Sequence, residues 1–176
     1  MIDIKIIDEA NKEDINIPNE PFRLVGRMIP SYVNEQWSYC IYYFEEMDIT
    51  EMSFPDENYN YDKMKNNSIF IGAYANSKCV GLAILQDAPF RYMYLYDLKV
   101  SKNYRHKGIA TALIQKAKNV CKACNYYGMY TQGQDNNLSA CLFYIKTGFH
   151  IGGLDTNVYK GTQQEGKSDI IFYLDC

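Results

Sequence analysis

Hydrophobic and polar positions first alternate in "IDIKII", residues 2–7, a period of two that predicts a strand. The apolar spacing of "PFRLVGRMI", from Pro21 to Ile29, suits a short helix with proline in its first turn. "SYVNEQWSYCIYYF" carries both periods and stays open between helix and strand. Residues 45–68 are polar, acidic and rich in Asn and Tyr, and predict a loop with a short helix near Tyr61. Beyond them the pattern sharpens. "SIFIGAY" and "CVGLAILQD" flank the turn-like "ANSK" and predict an antiparallel hairpin. "RYMYLYDLKV" predicts a third strand. Ile109, Ala112, Leu113, Ala117 and Val120 then keep helical spacing over about Gly108–Cys124. "YGMYTQ" reads as a strand, "NLSACLFYIKT" as a second amphipathic helix, and "GFHIGGLDTNVYKG" and "SDIIFYLDC" as closing strands.

Strands and helices interleave with no linker, repeat or low-complexity tract, so residues 1–176 predict one α/β (α+β) domain. Six cysteines show no disulfide framework. Cys121 and Cys124 form a C-x-x-C inside a helical run, and only His106 and His150 exist to complete a zinc site, so no metal is expected. Cys141 reads as packing. No apolar run reaches bilayer length, and the N-terminus lacks the layout of a secretory signal. A cytoplasmic location without a membrane partner is expected.

Net charge is only −3, but the signs are segregated. Between Met28 and Asp62 there is no Lys or Arg, whereas Glu35, Glu45, Glu46, Asp48, Glu51, Asp56, Glu57 and Asp62 are acidic. Between Leu98 and Gln134 there is no Asp or Glu, whereas Lys99, Lys102, Arg105, Lys107, Lys116, Lys118 and Lys122 are basic. One region suits a cation and the other an anion. The bland reading is two solvated faces; two blocks of pure sign in one small chain favour function. Because the basic residues cluster around one loop and the chain is net acidic, nucleic acid is not the expected partner.

That loop is "NYRHKGIATALI", residues 103–114. A helix N-terminus presents unpaired N–H groups and the positive end of the macrodipole, and a glycine allows an anion to approach the backbone closely. Arg105 and Lys107 add formal charge, beside the potentially cationic His106. The loop suits a diphosphate held mainly by main-chain donors. It is neither a Walker loop nor a dinucleotide fingerprint, since both glycine patterns are absent.

The strand ending "DLKV", the R-x-x-G-x-A loop, a helix, a strand and "QDNNLSACLFYIKTGF" together resemble the GNAT superfamily of acetyl-CoA-dependent N-acetyltransferases. The resemblance implies a mixed central sheet flanked by helices, in the order β-α-β-β-β-α-β-α-β-β. Residues 20–68 would form acceptor-side helices and an acidic loop, and 69–176 the acetyl-CoA-binding core. It also implies acetyl-CoA contacts from Leu98, Val100, Arg105, His106, Lys107, Gly108, Ile109, Ala110, Thr111 and Asn137, with Tyr144 protonating the departing thiolate. Asn137, Ala140, Tyr144, Gly148 and Phe149 carry the second motif.

"IPSYVNEQWSY", "QDNNLSACLFY" and "GFHIGGLDTNVY" are more specifically similar to streptothricin (nourseothricin) acetyltransferases. That likeness implies a cationic small-molecule amine as acceptor, with Glu35, Trp37, Tyr94, Tyr96 and Asp155 as candidate substrate contacts. A homodimer is compatible with it. Such relatives typically carry "YIEDIAV" where this chain has "YLYDLKV", so Tyr96 replaces their glutamate. A phenol with an ordinary pKa near 10 is a poor base at neutral pH. Alternation predicts that Tyr94, Tyr96 and Leu98 share one strand face and that Asp97 points the other way. Water, Glu35 or Asp155 remain as proton acceptors. Another amine as acceptor, or a catalytically silent acetyl-CoA-binding module, are the competing readings.

Overall fold

The structure, a computed structural model, describes residues 2–176. In chain order its elements are β1 (Ile2–Ile7), β2 (Phe22–Leu24), β3 (Gly26–Val33), β4 (Gln36–Tyr43), β5 (Thr50–Met52), α1 (Tyr61–Met64) and β6 (Ser68–Ala75). There follow β7 (Lys78–Gln86), β8 (Tyr92–Val100), α2 (Ile109–Ala123), β9 (Gly128–Gln134), α3 (Leu138–Lys146), β10 (His150–Asp155) and β11 (Asp169–Asp175). The chain is mixed α/β. Its described residues group into two compact units.

The first unit comprises, among the described residues, 2–21, 53–129 and 175–176. It holds the antiparallel order β1-β6-β7-β8. β6 and β7 are buried along nearly their whole length, which is why they read as continuous apolar runs. Asn76 and Ser77, with φ of 48° and 64°, make the tight turn between them. Helix α2 lies on these strands through Ile109, Leu113, Ile114, Ala117 and Cys121. At Gly81 of β7 a Cβ would meet Ile109 Cγ2 and Leu113 Cδ1 at 3.2 Å, so the missing side chain sets how closely the helix approaches. Ile7, Ile15, Phe70, Leu82 and Ile84 form a core that Tyr59, Tyr61 and Met64 cover.

The second unit comprises residues 22–52 and 130–174. β11 lies between β9 and β10 and runs antiparallel to β10. Two smaller antiparallel pairs, β2–β5 and β3–β4, complete it. Met28, Leu138, Cys141, Tyr144, Phe149 and Phe172 are buried there.

Residues 21–43 contain no helix, contrary to the sequence reading. Phe22–Leu24 and Gly26–Val33 are strands, and the stretch left open is the β3–β4 hairpin, closed by Asn34 and Glu35 with φ of 50° and 62°. The apolar residues at helical intervals misled, because Gly26 and Pro30 interrupt any helix; proline is tolerated in such a strand, where its missing N–H faces no ladder partner. The acceptor-side helices expected over 20–68 reduce to α1, a single turn at the position read from Tyr61. No helix among the described residues is long and apolar enough to cross a membrane.

Candidate active site

In the first unit the basic loop begins where β8 ends. The short turn Lys102–Tyr104 follows, then Arg105, His106 and Lys107, with Gly108 as the N-cap of α2. His106 and Gly108 both have left-handed backbones, φ 60° and 78°. Left-handed residues in a loop are a feature of the backbone nests that bind anions. Among the described residues, no hydrogen bond reaches the main-chain N–H groups of His106 to Thr111; the ladder of α2 begins with Ala112 donating to the Gly108 carbonyl at 3.0 Å. No acidic residue lies in the first turn of this 15-residue helix. A Cβ built on Gly108 meets nothing within 4 Å, so open space lies before the donors.

The cationic side chains behave differently from the sequence reading. Arg105 Nε donates to the Val100 carbonyl at 3.0 Å, one terminal nitrogen to Pro21 O at 2.9 Å and the other to Glu20 O at 3.2 Å. Lys107 folds back to Asn103 O at 2.9 Å, over the Tyr104 ring. Both side chains brace the loop, and His106 is exposed. The donors left unpaired in the loop are the backbone groups, with Ile109 buried, Ala110 half-buried and Thr111 exposed around them. Beside the loop a cleft of about 590 Å³ reaches from Glu13 and Glu20 past Lys78 to Asn103 and Tyr104.

Strand β8 carries the next candidates. Leu98 and Val100 are half-buried opposite Ala83 and Gly81 of β7. The expected alternation fails at Tyr96. Ile84 pairs with Asp97 and Leu85 with Leu95, so Tyr96 is the extra residue of a β-bulge. As a result Tyr59 touches both neighbours: its ring centroid is 5.9 Å from that of Tyr96, and its hydroxyl donates to Asp97 at 3.1 Å. Tyr94 packs edge-on to Tyr96 at 5.8 Å. Lys99 bonds Asp97 at 2.9 Å and Glu57 at 2.7 Å, and Asn19 at 3.2 Å. Burial lifts the Asp97 carboxyl above the usual aspartate range, Lys99 opposing it. Part of the acidic block is thus engaged internally, since Asn19 also binds Asp56 and Glu57. The sequence reading missed this node, although Asp97 and Lys99, two apart on a strand, were a visible signal.

In the second unit Asn137 caps α3, its side chain accepting from Ala140 N at 3.3 Å. That bond explains the N-x-x-A spacing. Tyr144 is buried, its ring 5.2 Å from Phe149, 5.3 Å from Phe172 and 5.7 Å from Phe143. Cys141 is buried too, and burial pushes its thiol up to about 12, which makes it inert as a nucleophile. Glu35 sits at the tip of the β3–β4 hairpin, two residues from Trp37, whose ring lies 4.9 Å from Tyr32. Asp155 ends β10, directly opposite Asp169 of β11. Tyr159 donates to Asp169 at 2.8 Å. Burial raises the Asp169 carboxyl, with repulsion from Asp155 and Asp135 adding to it and the Tyr159 bond opposing. Asp135 is satisfied separately: Arg27 Nε donates to it at 3.1 Å and Ser168 N at 3.3 Å. Of this group the sequence reading named only Asp155.

The family model described as Acetyltransferase (GNAT) family matches residues 31–149. Streptothricin acetyltransferase A of Bacillus subtilis (strain 168) is 34% identical over 163 residues, 93% of this chain and 94% of that protein. Streptothricin acetyltransferase of Escherichia coli is 30% identical over 112 residues, 64% of each. Among solved structures, a Bacillus anthracis str. Ames protein assigned as a streptothricin acetyltransferase, in complex with acetyl coenzyme A, superposes with a TM-score of 0.88 at 29% identity, all of both chains being covered. A nourseothricin acetyltransferase shares the fold, with a TM-score of 0.80 at 18% identity over 99% of this chain and 98% of that one.

Proposed function

The chain belongs to the GNAT acetyltransferase family, and from that premise we propose that it transfers the acetyl group of acetyl-CoA to an amine of a streptothricin-type antibiotic. The observation that carries the reading is the run of unpartnered N–H groups from His106 to Thr111 at the head of α2, facing open space at Gly108. Such a run fits an anion such as a diphosphate: it offers donors only, on a positive helix end, with no competing carboxylate. Bound there, acetyl-CoA would supply an acetyl group already activated as a thioester.

The chain's own residues do the rest. The loop N–H groups bind the diphosphate, and the Arg105 brace holds the loop against residues 20–21 and the end of β8. Main-chain groups of Leu98 and Val100 align the pantetheine arm and polarise the acyl oxygen, the electrostatic contribution that acyl transfer needs most. Tyr144 gives a proton to the departing thiolate, a general-acid role. Asn137 serves by fixing the first turn of α3, which carries Tyr144. The amine gives its proton to water and acetyl passes directly from thioester to amine, because the one thiol in α3, that of Cys141, stays protonated.

A thiol-release assay with acetyl-CoA and a panel of amines tests this. Release with streptothricin is the expected result. Release only with polyamines, aminoglycosides or peptide N-termini moves the acceptor elsewhere, and release with none contradicts an acetyltransferase function.

A further inference from the structure

Two buried acceptors in the second unit lack a donor: Oε1 of Gln134 and Oδ1 of Asn136, in residues that are each only 6% exposed. Native proteins rarely leave such atoms unpaired, and each exception calls for a physical reason. The surroundings of Gln134 supply one. Gln134 ends β9, and the next residue's N–H donates to the Ser168 carbonyl at 2.9 Å, which brings Gln134 beside the start of β11 at Asp169. The Tyr159 proton is already donated to Asp169 at 2.8 Å, so the tyrosine has none left for Gln134 Oε1. Asp169 is 7% exposed, and only one of its oxygens receives the tyrosine. Asp155 stands directly across the β10–β11 ladder from it. One Asp155 oxygen accepts from Asn157 N at 2.8 Å and Val158 N at 3.0 Å.

Like charges opposed across a ladder are unfavourable, and here no cation of the second unit bonds either carboxylate. Arg27, the nearest bonded cation in this group, is engaged by Asp135. The cluster is therefore an excess of acceptors: two facing carboxylates, a phenol oxygen and an orphaned amide oxygen, all short of donors. A group with several N–H donors and one positive charge satisfies that deficit, which is the description of a primary ammonium.

We propose that Gln134, Tyr159 and Asp169, with Asp155 opposite, form a subsite that binds an ammonium group of the acceptor. This deepens the reading above and rests on it. The subsite recognises an alkylammonium by donor count and charge; an anionic or neutral acceptor would leave the same atoms unpaired. The residues act on binding, and no proton transfer or covalent step is assigned to them.

Steady-state kinetics on Asp169→Asn and Asp155→Asn test the subsite, with KM measured separately for streptothricin and acetyl-CoA. Asparagine keeps an oxygen for Tyr159, or for Asn157 N and Val158 N, so each variant removes charge and little else. Losing a charged hydrogen bond raises KM for streptothricin by about tenfold to a hundredfold, with KM for acetyl-CoA unchanged. A merely structural role would raise both constants or lower the melting temperature. Should Asp169→Asn not fold, Asp155→Asn at the half-exposed strand end decides alone. Values within about twofold of the unsubstituted enzyme for streptothricin overturn the subsite. Should the enzyme prove to acetylate a different amine, the same split is measured with that amine, so the subsite stands or falls apart from the choice of antibiotic. If no amine is acetylated, both readings fall.

Discussion

Arg105 Nε donates to the carbonyl oxygen of Val100 at 3.0 Å, and with its two other bonds the guanidinium ties three stretches of backbone together. The arginine of the R-x-x-G-x-A loop thus acts as a brace of the loop, whose main-chain N–H groups stay unpaired. Arg105→Lys keeps the charge and loses the planar fork that reaches three carbonyls. Thermal or urea unfolding should show a loss of roughly 1.5–3 kcal/mol, the range for hydrogen bonds to charged groups. Unchanged stability with a large rise in KM for acetyl-CoA would instead make Arg105 a direct ligand.

Gly108 has φ 78° with open space around its missing side chain. Gly108→Ala costs about 1–2 kcal/mol of backbone strain, and its methyl enters the space before the donors. Gly108→Val should do more. Calorimetric titration should find acetyl-CoA affinity falling in the order Gly, Ala, Val; equal affinities would contradict the cradle.

Tyr144 packs its ring among Phe143, Phe149 and Phe172, so Tyr144→Phe preserves the packing and removes only the hydroxyl. Turnover should fall by about 10²–10⁴-fold, the usual weight of general acid catalysis. KM for acetyl-CoA should barely change. A variant with full turnover would remove Tyr144 from the acid role.

Much of the first unit was legible in the chain. The buried runs of β6 and β7, the turn between them and the period of α2 all follow from local pattern, because one helix face and two apolar strands leave few alternatives. The β3–β4 hairpin was not. Its residues are mostly exposed on both faces, which erases the alternation that marks a half-buried strand. Asn34 before Glu35 was the surviving signal, since asparagine tolerates the left-handed backbone that two-residue hairpin turns need. The bulge at Tyr96 was equally invisible: it is fixed by register against β7, and sequence spacing alone implied that Tyr96 and Asp97 diverge. Within the candidate site, the glycine loop and its donors were readable, whereas the bracing of Arg105 depends on carbonyls more than 80 residues away.

Asp169 predicts a pH effect on stability. Burial and the neighbouring carboxylates hold its folded pKa above the ordinary aspartate value of 3.8. Over the interval between the two pKa values the folded chain binds more protons than the unfolded one, so stability falls as pH rises through it. Asp169→Asn removes that titration. The melting temperature of the variant minus that of the unsubstituted chain should therefore grow as the pH rises above about 3.8. A difference that is flat or shrinks over this range contradicts the assignment.

The central claim is that the N–H groups at the head of α2 receive the diphosphate of acetyl-CoA. Amide-resolved NMR of the labelled chain, titrated with acetyl-CoA, tests it most directly. The account predicts saturable downfield shifts of the Gly108, Ile109, Ala110 and Thr111 N–H resonances, larger than those of α3. Saturation with these resonances unmoved, and shifts confined to other elements, would contradict it.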